Sequence, residues 1–242
     1  MNRKNEMAGR LIVALDVPGA DHARKLLTQL KGIPCYMKVG MQLFYAAGPQ
    51  FVRELKEQGY KVFLDVKMHD IPNTVKGGAN SVTKLGVDMF NVHAGGGVQM
   101  MKAAMEGVEA ALSEHPDLSK PVVISVTQLT STDRRTLNEE IGIAGEVEDA
   151  VVRYAELTKQ AGLDGVVASP HEVALIKRAC GASFQTVIPG IRPAGSDLGD
   201  QSRVMTPRQA MEQGTDYIVI GRPITAAPDP RQAIESILEE MS

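Results

Sequence analysis

The chain has no tryptophan, and aromatic residues make up only 4% of it. So few rings are poor material for a surface on which nucleic-acid bases could stack. A net charge of −3 supplies no basic excess to attract a polyanion, so nucleic acid is not an expected partner. Cysteine is scarce as well. Cys35 and Cys180 cannot form a disulfide framework, and no Cys-x-x-Cys or Cys/His cluster is present to hold zinc. Both read as small buried hydrophobes. Long apolar runs are missing too. The polar stretch 1–10 is followed by only five apolar residues, Leu11 to Leu15, too few for a signal-peptide core or a membrane span. These absences lead us to expect a soluble, cytoplasmic protein with no membrane association.

What is present is an alternating pattern. The 242 residues are 43% hydrophobic, which suits one large globular domain. Short runs rich in Val and Ile occur at 11–15, 35–39, 61–66, 88–92, 121–126, 164–168, 185–190 and 217–221. Longer stretches between them carry helical spacing, as in Ala23, Leu26, Leu27 and Leu30, or Met101, Ala104, Met105 and Val108. Three later helices show start signals at Ser169, Thr206 and Asp229, each followed by Pro and, three residues on, by Glu or Gln. Gly59, Gly86, Gly162 and Gly214 stand where helices should stop.

Eight strands alternating with helices predict a parallel sheet whose buried strands read as continuous apolar runs. The polar residues closing those runs, from Asp16 to Arg222, are 22 to 42 residues apart, near the roughly 30 residues of a strand–helix–strand unit. A single closed (β/α)8 barrel over 11–242, preceded by a polar tail at 1–10, is the economical solution. An open doubly wound sheet would normally carry a phosphate fingerprint after the first strand. The residues there, Asp16-Val17-Pro18-Gly19, are not one. The longest gap places a loop at 128–146 directly after the fifth strand, on the catalytic face of such a barrel, as a candidate lid or pocket wall.

The anomaly in this pattern is charge at strand ends. Asp16, Lys38, Asp65 and Lys67 follow or interrupt three successive apolar runs. One such charge would simply mark where a strand surfaces, but four at the same end point to a site. Strand periodicity puts Asp65 and Lys67 on one face, with Asp70 beyond them in a turn stiffened by Pro72. A lysine between carboxylates stays protonated, which suits an acid or electrostatic anchor rather than a Schiff-base nucleophile. Carboxylates at a strand end could instead hold Mg²⁺, but Lys38 and Lys67 in the same mouth argue against a dication. Arg192 after the seventh strand and Gly221-Arg222 after the eighth occupy the recurrent phosphate position of these barrels, and Gln201 could add an amide donor. The glycines of His93-Ala94-Gly95-Gly96-Gly97 read more readily as close packing than as a phosphate loop, and His93 as a hydrogen-bonded structural histidine.

These segments together resemble the orotidine 5′-monophosphate decarboxylase family of the bacterial type. The resemblance is carried by Ala14-Leu15-Asp16, Lys38-Val39-Gly40, Asp65-x-Lys67-x-x-Asp70-Ile71-Pro72-Asn73-Thr74, Asn91-Val92-His93-Ala94, Val126-Thr127-Gln128-Leu129-Thr130-Ser131, Thr186-x-x-Pro189-Gly190-Ile191-Arg192 and Gly221-Arg222-Pro223-Ile224, in that order. The Asp-x-Lys-x-x-Asp core alone is shared with metal-dependent sugar-phosphate relatives, which are expected to carry an acidic residue where Lys38 stands. The resemblance implies a cofactor-independent, metal-free carboxy-lyase acting on a small nucleotide in UMP synthesis. It implies a catalytic network of Lys38, Asp65, Lys67 and Asp70, with Lys67 beside the reacting carbon. Asp16 and Lys38 would hold the ribose, Thr130 the pyrimidine, and Gln201, Arg192, Gly221 and Arg222 the phosphate. Asp70, Ile71 and Thr74 would come from the second subunit of a homodimer. A Mg²⁺-dependent sugar-phosphate lyase or aldolase, and a non-catalytic phosphate-ligand barrel, remain the alternatives.

Overall fold

The computed structural model describes residues 3–193 and 205–242. A short helix α1 (Arg3–Ala8) precedes the first strand. Each apolar run then forms a strand: β1 (Leu11–Ala14), β2 (Tyr36–Gly40), β3 (Lys61–Met68), β4 (Met89–His93), β5 (Val122–Val126), β6 (Gly165–Val167), β7 (Gln185–Ile188) and β8 (Tyr217–Ile220). All pair in parallel with their sequence neighbours. β8 returns to β1 with Leu11 opposite Ile218 and Val13 opposite Ile220, so the sheet is the closed barrel expected from the spacing. Helices α2 (Ala20–Leu30), α3 (Met41–Glu57), α4 (Pro72–Lys84), α5 (Gly97–Glu114), α6 (Val147–Gln160), α7 (Val173–Cys180) and α8 (Pro207–Glu212) connect the strands. A single-turn α9 (Arg222–Thr225) and then α10 (Pro230–Glu240) follow β8. No helix among the described residues is long and apolar enough to cross a membrane.

Strand alternation builds two cores. Leu11, Val13, Met37, Val39, Val62 and Leu64 belong to the large cluster between sheet and helices. Ile12, Tyr36, Phe63, Met89, Ile124, Val187 and Val219 form the smaller cluster inside the barrel. Two residues further along, that interior file turns polar on three adjacent strands. Lys38 follows Tyr36, Asp65 follows Phe63, and Asn91 follows Met89.

At the opposite end a repeated aspartate tie fixes the strand starts. Val62 N donates to the carboxylate of Asp88, which precedes β4, at 2.7 Å. Val123 N donates to Asp164, which precedes β6, at 2.8 Å, and Thr186 N to Asp216, which precedes β8, at 2.7 Å. Lys56 and Lys177 complete the charge balance on Asp88 and Asp216.

The structure refines two sequence expectations. Within the polar stretch 1–10, residues 3–8 form a helix, because adjacent Met7 and Ala8 give it a buried corner against the core. The helix start expected at Ser169 forms, opening as a 3-10 turn over Pro170–Glu172 that runs into α7, and Ser169 N donates to the Glu172 carboxylate at 2.8 Å. The caps at Thr206 and Asp229 form as expected, accepting from Gln209 N and Gln232 N. Gly59 and Gly162 end their helices with φ of 81° and 86°, a region only glycine enters without strain. The 128–146 segment is partly folded. Thr136–Glu140 makes one π-helical turn anchored by the buried Leu137, and Asn138 Nδ2 donates to Gly145 O at 2.9 Å.

Helices α4 and α5 approach closely at Gly107, where a Cβ would fall 2.2 Å from Lys76 O. Backbone cannot retreat as a flexible side chain can. Gly107→Ala is therefore expected to destabilise the protein by about 2–3 kcal/mol, the upper part of the range of overpacking at a tight core contact. Urea unfolding measures this; an unchanged midpoint would show that the two helices separate freely.

Candidate active site

Loops leaving the C-terminal ends of the strands surround a cavity of about 720 Å³. Asp16, Lys38, Asp65 and Lys67 line one wall. Gln128, Leu129, Thr130 and Ser131 from the segment after β5 line another. Pro189, Gly190 and Arg192 after β7, with Gly221 and Arg222 after β8, close the circuit.

The charged wall is one connected array. Lys38 Nζ lies 3.1 Å from Asp16 Oδ1 and 3.3 Å from Asp65 Oδ2, while Lys67 Nζ lies 2.7 Å from Asp65 Oδ1. Lys38 is only 8% exposed. Burial works against its ammonium, yet Asp65 and then Asp16 outweigh that and hold its pKa above the ordinary lysine value. Burial likewise opposes the Asp65 carboxylate. Lys38, Lys67 and the Asn91 amide overcome it and keep Asp65 below the usual carboxylate range. Gly40 leaves room for this pairing, since a Cβ there would stand 3.2 Å from Lys38 Nζ and 3.3 Å from Asp16 Oδ1.

Lys67 reaches Asp65 by a route that simple alternation does not anticipate. Between Leu64↔Phe90 and Met68↔Val92 the register of β3 against β4 shifts, so Asp65, Val66 and Lys67 together oppose Asn91. Lys67 sits in this bulge with φ of +50°, the left-handed region, and is the one such non-glycine residue among those described. Asn91, fully buried, fills the gap. Its Oδ1 accepts from Lys67 N at 2.8 Å and its Nδ2 donates to Asp65 Oδ1 at 2.7 Å. Neither Asn91 nor Gly40 stands out as a functional position by composition alone. The available signal for Asn91 is a lone amide inside the apolar strand Met89–His93.

The remaining expected site residues divide. Thr130, Arg192, Gly221 and Arg222 line the same cavity as the charged array. Asp70, Ile71 and Thr74 do not. They are exposed on the turn into α4 and its first helical turn, with Ile71 67% exposed and Asp70 Oδ1 accepting from Ile71 N at 2.7 Å. Gln201 lies outside the described residues. His93 stacks on His69 with ring centroids 5.3 Å apart, and its Nδ1 accepts from Gly95 N at 3.3 Å. Burial first, then His69 and Lys67, hold His93 below the ordinary histidine value. Of the neighbouring glycines Gly96 is tightly packed, since a Cβ there would fall 2.1 Å from Met100 Sδ, whereas Gly97 faces open space and turns the chain with φ of 81°.

A pH experiment checks the charge array. With Asp65 depressed in the folded chain, the stability it supplies is present above its unfolded value of about 3.9 and is lost as pH falls through the lower folded value. Lys38→Met removes the leading cause of that depression. The variant is expected to be less stable by roughly 3 kcal/mol at neutral pH, with the gap closing below about pH 4. Urea midpoints across this range decide it; a constant gap down to about pH 3 would show that Lys38 does not govern the ionisation of Asp65.

Comparison with known proteins agrees along nearly the whole chain. An orotidine 5′-phosphate decarboxylase of Moorella thermoacetica is 54% identical over 234 residues, covering 96% of this chain and 92% of the relative. One of Bacillus anthracis is 50% identical, covering 97% of this chain and 98% of the relative. Among solved structures, an orotidine 5′-phosphate decarboxylase from Lactobacillus acidophilus superposes with a TM-score of 0.85 at 42% identity, covering 96% of this chain and 98% of that one. An uncharacterized conserved protein from Geobacillus kaustophilus gives the same score at 45% identity, covering 96% and 100%. Residues 9–237 match the family described as Orotidine 5′-phosphate decarboxylase / HUMPS, and the chain belongs to that family.

Proposed function

We propose that this chain converts orotidine 5′-monophosphate to UMP and carbon dioxide, the decarboxylation that completes UMP synthesis, as a cytoplasmic enzyme. The observation that carries the reading is the unbroken Asp16–Lys38–Asp65–Lys67 array in a cavity of about 720 Å³, a size suited to a nucleotide. Lys38 Nζ stands between the carboxylates of Asp16 and Asp65, where a metal-dependent site would need a cation. This supports the decarboxylase reading over the metal-dependent lyase alternative. Relatives named orotidine 5′-phosphate decarboxylase, 54% and 50% identical over nearly the whole chain, support it independently.

The reaction breaks the bond between C6 of the pyrimidine and its carboxylate. Carbon dioxide leaves and the electron pair stays on C6, with no cofactor to accept it. The Lys67 ammonium stabilises this carbanion and delivers a proton to it, and the lysine is then reprotonated from water. Asp65 faces the departing carboxylate, whose negative charge it disfavours in the ground state. Asp16 and Lys38 hold the ribose hydroxyls, and Thr130 meets the pyrimidine. Arg192, Gly221, Arg222 and Gln201 bind the phosphate, so that remote binding energy is used at the reacting carbon.

Asp70, Ile71 and Thr74 act in the site of a partner subunit. Their common exposure supports this, as do two large apolar side chains exposed at the same end of the barrel. Ile71 is 67% exposed, and Tyr45 at the start of α3 is 74% exposed. The assembly is a two-fold homodimer with two shared sites.

Loss of orotidylate absorbance tests the activity. Turnover is expected to survive dialysis against EDTA, whereas a requirement restored by Mg²⁺ would move the chain to the metal-dependent relatives. Lys67→Ala is expected to abolish nearly all turnover with UMP affinity kept within about tenfold, since a proton donor accounts for several of the roughly 8–23 kcal/mol by which enzymes lower barriers. Residual activity above about a tenth of the parent value would assign the acid elsewhere.

Subunit exchange tests the shared site. Mixed Lys67→Ala and Asp70→Ala subunits give heterodimers in which one site carries both lesions and the other neither. About half the dimers are mixed at random exchange, so roughly a quarter of the parent activity should return. No recovery after verified exchange would place Asp70 in its own chain's site.

A further inference from the structure

We propose that Asn91 is a positioning residue: its side-chain amide holds open the β3 bulge that turns Lys67 onto Asp65. The inference rests on the reading of Lys67 as the proton donor, and adds what keeps that donor in place. Lys67 has φ of +50°, a conformation that crowds the Cβ of an L-residue, and unsupported chain would leave it. The support comes from one side chain. Asn91 Oδ1 accepts the Lys67 backbone N–H, and its Nδ2 donates to the same Asp65 oxygen that Lys67 Nζ reaches. The reversed amide would set N–H against N–H and oxygen against carboxylate, so the chemistry of the partners fixes its orientation. An ionised aspartate in this place could accept but not donate, and an aliphatic residue could do neither. Asn91 thus couples the two ends of the Asp65–Lys67 pair, the backbone of one and the carboxylate of the other.

The charged surroundings are defined. Asp65 faces Lys38 of β2 and Lys67 of its own strand, and Asp16 beyond β1 faces Lys38. On the β4 side, His93 lies two residues past Asn91 and stacks on His69.

Two variants test the assignment. In Asn91→Ala the bulge loses both bonds. A crystal structure is expected to show Lys67 relaxed to negative φ, and orotidylate kcat is expected to fall about 100-fold with KM within about fivefold, the signature of a misplaced reacting group. Asn91→Asp keeps the acceptor for Lys67 N–H but sets a second carboxylate against Asp65. Two carboxylates at that separation share a proton. The acid limb of its pH–kcat profile is therefore expected to lie about one pH unit or more above that of the parent protein, whereas a purely structural defect would lower kcat equally at every pH. Lys67 at positive φ in Asn91→Ala with kcat within about threefold of parent would overturn the assignment. If Asn91→Ala does not fold, the Asn91→Asp profile decides, and an unshifted limb overturns it. If the parent chain does not turn over orotidylate, the proposed function fails while the φ of Lys67 in Asn91→Ala still decides whether Asn91 holds the bulge.

Discussion

Lys38 places an ammonium at the mouth of the barrel with 8% of the residue exposed, and the polar architecture of this end follows from satisfying it. A buried cation of this kind is tolerated only when carboxylates and hydrogen bonds replace its water. Asp16 and Asp65 flank it from the strand ends on either side. Asp65, drawn in by Lys38, in turn needs donors for its other oxygen, and Lys67 and Asn91 supply them. The order of charges is therefore a chain of mutual requirement. Removing Lys38 strands Asp65, and removing Asp65 strands Lys38, in a poorly solvated place, whereas Asp16 can turn to water.

The barrel makes this arrangement possible by separating tasks along its axis. The interior is apolar at mid-height, where Ile12, Phe63, Met89, Ile124 and Val219 fill it. The same files of side chains continue upward into Lys38, Asp65 and Asn91. Apolar packing below gives the polar layer a rigid floor, and the backbone of four adjacent strands sets the spacing of its members. The cavity wall supplied by Thr130, Arg192 and Arg222 comes from loops, which can vary without disturbing that floor.

The fold was legible in the sequence because a parallel barrel writes itself as eight apolar runs at nearly regular intervals, and the β8–β1 closure needs no further signal. The charged wall was legible for a related reason: Asp16, Lys38, Asp65 and Lys67 are residues a buried strand should not contain. A one-dimensional pattern does not encode features that depend on a neighbour. The polar stretch before β1 conceals a helix because its burial rests on just Met7 and Ala8. Period-two reading brings Lys67 to Asp65, but the pair is made through a two-residue register shift against β4 that no single-strand pattern encodes. Asn91 and Gly40 matter through what they touch across strands, and neither residue type announces that in one dimension. Asp70, Ile71 and Thr74 could be named from the sequence, but a single chain leaves them exposed and apart from the cavity.

The aspartate ties at the far end of the barrel group the strands in twos. Asp88 binds β4 to the start of β3, Asp164 binds β6 to β5, and Asp216 binds β8 to β7. No corresponding carboxylate tie spans the joints β4–β5 or β6–β7 among the described residues; there the backbone carbonyls of Asp88 and Asp164 accept from Val122 N and Gln185 N, bonds that any residue can make. The side-chain ties are thus modular at the level of the strand–helix pair, with seams joined through backbone. Segments exchanged between related barrels at those seams keep every tie within one parental piece, so recombination there preserves the floor while replacing a whole sector of the mouth. A sequence can in this way change its loops by the pair, and the chemistry they carry, without rebuilding the frame beneath them.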